Sequence, residues 1–192
     1  MAGRTKWEIK PGFCILTAVA LLVLPIQWVL AWLLAAAVHE GAHYLALRLC
    51  GCPVYGMRLC PGGAVMETEV WGARACLCAL AGPAGSLCLL IFARWAPRLA
   101  LCGFLQAVFN LLPVFPLDGS RALRGFQERF LPRIPYLGKL VENIALFLLM
   151  GLGLFCTANL SLGLLPMLLP VILVLKTGKI KIPCKHGRQR VQ

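Results

Sequence analysis

WVLAWLLAAAVHEGAH, at residues 28–43, combines a long apolar run with the pattern His-Glu-x-x-His. Ionisable side chains at membrane depth are costly, so their presence in an apolar segment indicates a functional site. In a helix, His39 and His43 share one face, and both imidazoles can bind a single Zn²⁺. Glu40 lies beside them, about 100° round the helix, where it can act as general base on a water molecule. The pattern therefore predicts a hydrolytic zinc site inside a membrane-spanning helix.

The composition of the 192-residue chain indicates a membrane protein, because 60% of its residues are hydrophobic and only 14% are charged. A net charge of +12 would fit a nucleic-acid-binding protein, but the basic residues are dispersed between apolar segments. We therefore expect attraction to anionic lipid and no nucleic-acid partner. The length predicts one domain, residues 1–192, with a basic tail at 176–192.

Six apolar segments predict about six membrane-spanning helices, each crossing a hydrocarbon core about 30 Å thick. The stretch from residue 13 to residue 49 is too long for one crossing, and Pro25 and Gln27 mark its break. The predicted fold is an all-α polytopic membrane protein with a small β-hairpin between spans two and three. The predicted spans are residues 13–24, 28–49, 75–93, 99–112, 140–156 and 160–175.

The distribution of basic residues predicts the orientation of these spans. With six spans, almost all lysines and arginines fall on one side of the membrane, and the other side receives only Arg94 and Arg98. The positive-inside rule then places both termini in the cytoplasm and the histidines toward the cytoplasmic end of span two.

The segment between spans two and three, residues 53–70, contains two short β-prone runs on either side of Pro61-Gly62-Gly63. A proline followed by two glycines favours a turn, so the segment is typical of a hairpin beside the motif helix. Its exposed edge could then pair with an extended peptide by strand addition. A plain connecting loop remains an equal alternative from spacing alone.

Asp118 is the best candidate for a third protein ligand, which a catalytic zinc site requires. It follows two prolines in NLLPVFPLDGSR, residues 110–121. Non-helical backbone near membrane depth is tolerated only where it is buried in protein or lines a cavity, so a carboxylate there can reach inward. The alternative is that Asp118 caps a helix starting at Gly119. The two histidines upstream favour the metal-ligand interpretation.

The ten cysteines are expected to be reduced, because most lie in apolar runs, where cysteine behaves as a small hydrophobic residue. Cys50, Cys52 and Cys60 are close enough in sequence to raise the alternative of a second metal site. Their spacing lacks the paired CxxC pattern, which argues against it.

These motifs resemble those of the site-2 protease family of intramembrane zinc metalloproteases. HEGAH in span two is similar to the family's HExxH, and residues 110–119 resemble its NxxPxxPLDG motif. The resemblance is closest to the branch of the stage IV sporulation protease, which processes an inactive pro-sigma factor. It covers almost the whole chain, including residues 61–69 and Ala81-Gly82-Pro83.

The resemblance implies a role for each residue that matches the two motifs. His39, His43 and Asp118 would bind one Zn²⁺ per chain, and Glu40 would activate water. Asn110 would help to position the substrate or stabilise the oxyanion. One departure is visible, since Ser120 stands where family members often have glycine. We also expect no nucleotide-sensing domain after the spans. The catalytic residues are not affected, but nucleotide regulation and the usual substrate are not implied.

The function expected from the resemblance is regulated hydrolysis of a peptide bond in a membrane-associated substrate of a bacterial cell membrane. A pro-sigma factor or a membrane-tethered transcriptional regulator fits this description, with an inhibitory or regulatory membrane protein as a second partner. The alternative is a non-catalytic zinc-binding membrane protein. A transporter would need a polar path across the bilayer, and a pseudoprotease would have lost Glu40 or a ligand. The sequence shows neither feature.

Overall fold

The computed structural model describes residues 6–60, 63–134, 136–159 and 190–191, and the chain is mostly helical over these residues. The helices are α1 (Pro11–Val23), α2 (Ile26–Leu49), α3 (Gly72–Cys88), α4 (Pro97–Asn110), α5 (Asp118–Phe130) and α6 (Leu137–Asn159), and a 3₁₀ turn, Leu89–Phe92, extends α3. The strands are β1 (Lys6–Ile9), β2 (Val54–Cys60), β3 (Gly63–Thr68) and β4 (Arg190–Val191).

Three of the described helical segments are long and apolar enough to cross a membrane, namely Ile26–Leu49, Gly72–Phe92 and Leu137–Phe155. α1 is apolar but has 13 residues, and α4 has 14. At 1.5 Å per residue, each is about 20 Å long, short of the ~30 Å core. The predicted sixth span, 160–175, and the basic tail up to residue 189 lie outside the described residues. The structure thus supports a helical membrane protein, and the count of six spans stays a prediction.

The hairpin predicted between spans two and three is present, so the alternative of a plain loop is wrong. β2 and β3 pair antiparallel, with Arg58 opposite Val65 and Leu59 opposite Ala64. The prediction of an otherwise all-α chain missed two strands that complete a sheet of order β1-β2-β3-β4. β1 adds parallel to β2, and β4 adds antiparallel to β3. These pairings join segments far apart in sequence, which a local pattern cannot indicate.

The hairpin packs against the ends of α2 and α3 nearest to it. A cluster of buried apolar side chains fills the space between the sheet and these helices, and its members are Leu47, Cys52, Val54, Met57, Ala64, Met66, Val70 and Cys78. Burial of apolar area is the main force that holds such layers together. The sheet is therefore fixed beside the last turns of α2, which carry the two histidines.

Small residues allow α2, α3 and α4 to approach closely. A Cβ at Gly85 of α3 would lie 2.6 Å from the Cβ of Ala42 on α2. A Cβ at Gly103 of α4 would lie 2.7 Å from the carbonyl oxygen of Ser86 on α3. Close backbone approach at small residues is the usual way in which membrane helices associate.

α5 is a helix that the sequence interpretation did not assign, although a helix from Gly119 was considered as an alternative. It begins at Asp118 and packs along α3, where a Cβ at Gly125 would lie 2.7 Å from the backbone nitrogen of Cys76. Its start is tied to the end of α4, because a Cβ at Gly119 would lie 2.1 Å from the carbonyl oxygen of Leu111. The residues between the two helices therefore form a tight bend that brings Asp118 back over α2 and α3.

Candidate metal centre

Three side chains from two helices meet in the interior. Nε2 of His39 lies 3.0 Å and Nε2 of His43 lies 3.1 Å from the same oxygen, Oδ2 of Asp118. The two Nε2 atoms are 3.3 Å apart. The three side chains are buried, with relative exposures of 4%, 9% and 5% for His39, His43 and Asp118. The structure thus brings together the three residues that the sequence proposed as ligands.

The donor set and its spacing fit a zinc ion. Two imidazole nitrogens and one carboxylate oxygen are a common protein ligand set of catalytic zinc. In a tetrahedral site with bonds of about 2.0–2.1 Å, neighbouring ligand atoms are about 3.3 Å apart. The observed separations of 3.0, 3.1 and 3.3 Å are close to that value. Among the described residues, no other group of three metal-ligating side chains is this compact.

The hydrogen bond at each Nδ1 leaves Nε2 available for a metal. Nδ1 of His43 is 2.7 Å from the backbone carbonyl oxygen of Cys78. A carbonyl can only accept, so Nδ1 carries the proton and Nε2 keeps its lone pair. Nδ1 of His39 is 2.8 Å from Oγ of Ser86, and this hydroxyl can accept in the same way. Such partners commonly fix the orientation and tautomer of a metal-binding histidine.

One face of α3 supplies the partners of both Nδ1 atoms. Cys78, Gly82 and Ser86 are spaced by four residues and therefore share a face of the helix. Gly82 lies against the ring of His43, since a Cβ there would be 2.1 Å from Nε2. The sequence interpretation noted Ala81-Gly82-Pro83 only as part of the resemblance and missed Ser86. The contact of Ser86 with His39 joins residues 47 positions apart, so no local pattern in the sequence could indicate it.

Glu40, the proposed general base, is half-buried and is held by the hairpin. Its Oε1 accepts a hydrogen bond of 3.0 Å from the backbone N–H of Ala64, the second residue of β3. The side chain follows His39 directly in sequence, and the sheet packs beside this part of α2. The base is therefore anchored by an element other than those that hold the metal ligands.

Asp118 is set up to bind as a carboxylate. Burial raises the pKa of this group, but the adjacent imidazoles of His39 and His43 and the charge of Arg121 hold its pKa well below the ordinary value. Nη1 of Arg121 is 3.4 Å from Oδ1, the oxygen that the histidines leave free. The alternative that Asp118 caps a helix starting at Gly119 is wrong, because α5 begins at Asp118 itself and Leu117 is its N-cap residue. The side chain of Asp118 faces the histidines.

Asn110 is the remaining residue that the sequence assigned to the site. It is the last residue of α4 and is half-buried. Among the described residues, no hydrogen bond joins its side chain to the three ligands or to Glu40, so its role stays a prediction. The described cysteines are free thiols, and the only compact metal-ligand group within the described residues does not include Cys50, Cys52 or Cys60.

The fold resembles that of a site-2 protease from Methanocaldococcus jannaschii. The similarity has a TM-score of 0.60 at 19% sequence identity, and it covers 94% of this chain and 94% of that chain. No protein-family model matches the sequence, and no curated protein matches it. At 19% identity the likeness establishes the fold, and it does not test the proposed kinship with the sporulation branch.

Ser86→Ala should lower the affinity for Zn²⁺ by about 10- to 100-fold, because loss of a partner that orients a ligand typically has this effect. Competition with a chromogenic chelator in detergent measures the dissociation constant. Cys78→Ala is the matched control, since only the backbone carbonyl of Cys78 contacts His43. Equal zinc affinity in Ser86→Ala and wild type would show that the hydroxyl does not orient His39.

Proposed function

We propose that this chain is an intramembrane zinc metalloprotease, which hydrolyses a peptide bond of a membrane-associated protein. The observation that carries the proposal is the convergence of Asp118 with His39 and His43, which lie on a helix long enough to cross a membrane. Glu40 lies next to this cluster in sequence and is oriented by a separate contact. The fold shared with a site-2 protease supports the same conclusion.

Each residue of the site has a distinct role in the proposed reaction. His39, His43 and Asp118 would hold a Zn²⁺ ion, which would lower the pKa of water and polarise the scissile carbonyl group. Glu40 accepts the proton of the attacking water and passes it to the leaving amine. Asn110 positions the substrate or stabilises the developing oxyanion, a role that rests on its place in the NxxPxxPLDG pattern.

An extended peptide is the form of substrate that this site can cut, because the carbonyl groups of an intact helix are hydrogen-bonded and shielded. The outer edge of β3 offers a place to hold one by strand addition. β4 pairs with this edge at Met66 and Glu67, so the edge accepts a strand in the antiparallel direction. A substrate strand would take the place of β4 there.

The biological setting proposed for this activity is a bacterial cell membrane. A pro-sigma factor or a membrane-tethered transcriptional regulator would be the substrate, and an inhibitory membrane protein and anionic lipid would be the other partners. Support comes from the motif in residues 110–119 and from the excess of basic residues in the segments assigned to one side. A non-catalytic zinc-binding protein is the alternative, and the variants below distinguish the two.

The proposed six-span orientation, with both termini and the site toward the cytoplasm, can be tested with reporter fusions. Alkaline phosphatase fused after residue 96 or residue 158 should be active, because these positions are assigned to the external side. Green fluorescent protein fused after residue 60, 130 or 190 should fluoresce. A cytoplasmic signal at residue 96 would contradict six spans and place the site toward the other face.

His39→Ala and His43→Ala should each remove most of the bound Zn²⁺, because two protein ligands hold the ion poorly in a site built for three. Elemental analysis of purified protein should give about one zinc per wild-type chain and far less in either variant. Cys52→Ala is the control and should keep its zinc. Full occupancy in both histidine variants would refute the ligand assignment.

Glu40→Gln should keep the zinc and lose at least about 100-fold in cleavage rate, since an amide cannot accept the proton of water. Fluorescent casein in detergent micelles is a probe that needs no knowledge of the natural substrate. Glu8→Gln, at an exposed position, should cleave like wild type. A wild-type protein that binds zinc and cleaves no probe, or an active Glu40→Gln variant, would favour a non-catalytic role or another base.

A further inference from the structure

The first two residues of β3 contact the carboxylate of Glu40. The backbone N–H of Ala64 donates to Oε1 over 3.0 Å, in a contact between residues 24 positions apart. Gly63, the preceding residue, has φ of +119°, a conformation that favours glycine. A Cβ on Gly63 would lie 3.2 Å from the same Oε1 atom, closer than an ordinary contact. Ala64 thus provides a donor for the Glu40 carboxylate, and the missing Cβ of Gly63 leaves space for it.

The hydrogen-bond pattern of the sheet shows that the N–H of Ala64 belongs to the outer edge of β3. Leu59, its partner on β2, accepts at its carbonyl from Lys10, on the side of β1. In an antiparallel ladder, opposite residues either exchange both bonds or direct both away from each other. Leu59 and Ala64 are thus a pair of the second kind, and the N–H of Ala64 points away from β2.

The same edge receives a strand two residues further along. Residues i and i+2 of a strand direct their N–H groups to the same side, so Met66 shares the edge with Ala64. Met66 is paired with Val191 of β4. Glu40 and an added strand therefore use consecutive outward donors of one strand, Ala64 for the base and Met66 for the peptide.

We propose that the backbone amide of Ala64 is a positioning group for Glu40, so that the strand that would hold the substrate also aligns the general base. The inference rests on the proposed protease function. A glutamate side chain has three rotatable bonds, and one fixed oxygen restricts its rotamers while the second oxygen stays free to accept a proton. A slip of β3 by one residue would turn this N–H toward β2 and release the base.

An amide-to-ester substitution tests the proposal with almost no change in shape. Lactic acid, incorporated at position 64 in place of alanine, keeps the methyl side chain and removes only the N–H donor. We expect kcat for a fluorogenic peptide to fall by about 10- to 100-fold, because small misplacements of a catalytic group have effects of this size. KM and zinc content should stay unchanged, since neither the edge donor at Met66 nor the metal ligands are altered.

The matched control is 2-hydroxyisovaleric acid in place of Val65, whose N–H faces β2 and not Glu40. This ester also removes one donor from β3, but it should leave kcat close to the wild-type value. Gly63→Ala is a second variant, and it should lower kcat without changing zinc content because its Cβ crowds Oε1.

Three outcomes would overturn the inference: wild-type kcat in the position-64 ester, an equal loss of kcat in both esters, or a rise in KM with kcat unchanged. The last would mean that the amide of Ala64 binds substrate and not the base. If zinc-loaded wild-type protein cleaves no probe, the proposed protease function fails, and the inference fails with it. An active wild type with an unaffected position-64 ester refutes the inference alone.

Discussion

The structure depends on the meeting of two imidazole nitrogens and one carboxylate oxygen in the interior of the protein. Oδ2 of Asp118 lies within hydrogen-bond distance of His39 and His43, and all three groups are buried. An unpaired ionised carboxylate in such surroundings costs several kcal/mol, so Asp118 could not be buried here alone. Asp118 must therefore reach α2 from a separate helix, and the parts of the fold between α4 and α6 serve that requirement.

The position of Asp118 is fixed by contacts of α5 with α3 and α4, and by contacts of the preceding bend with α6. Gly119 lies against the end of α4, and Gly125 lies against the start of α3, so α5 has little freedom to move along either helix. On the far side, Glu142 of α6 accepts from the backbone N–H of Phe115 at 2.8 Å and from Arg124 at 3.2 Å. Burying the Glu142 carboxylate on an apolar helix costs free energy. Its hydrogen bonds to Phe115 and Arg124 offset that cost, and they also fix the bend.

The sequence predicted the parts of this arrangement that lie close together in the chain. The spacing of His39 and His43, the adjacent Glu40 and the hairpin at residues 53–70 all follow local periodicity or turn chemistry. Asp118 followed from the need for a third ligand. The contacts of Ser86 and Ala64 could not be predicted, because they join residues 47 and 24 positions apart through helix and strand packing. β1 and β4 were missed for the same reason.

The hydrogen bonds of His39, His43 and Glu40 involve three elements, α2, α3 and β3. α2 carries both histidines and Glu40, the proposed base; α3 supplies the partners of the two Nδ1 atoms, and β3 donates a hydrogen bond to Glu40. A metal ligand needs a rigid partner, and the interior of packed helices provides one through Ser86 and the Cys78 carbonyl. The proposed base has its partner on the strand that, in the proposed function, would hold the substrate. Glu40 follows His39 on α2 and also contacts the hairpin, so one helix carries the proposed ligands and the proposed base while two different elements hold their side chains.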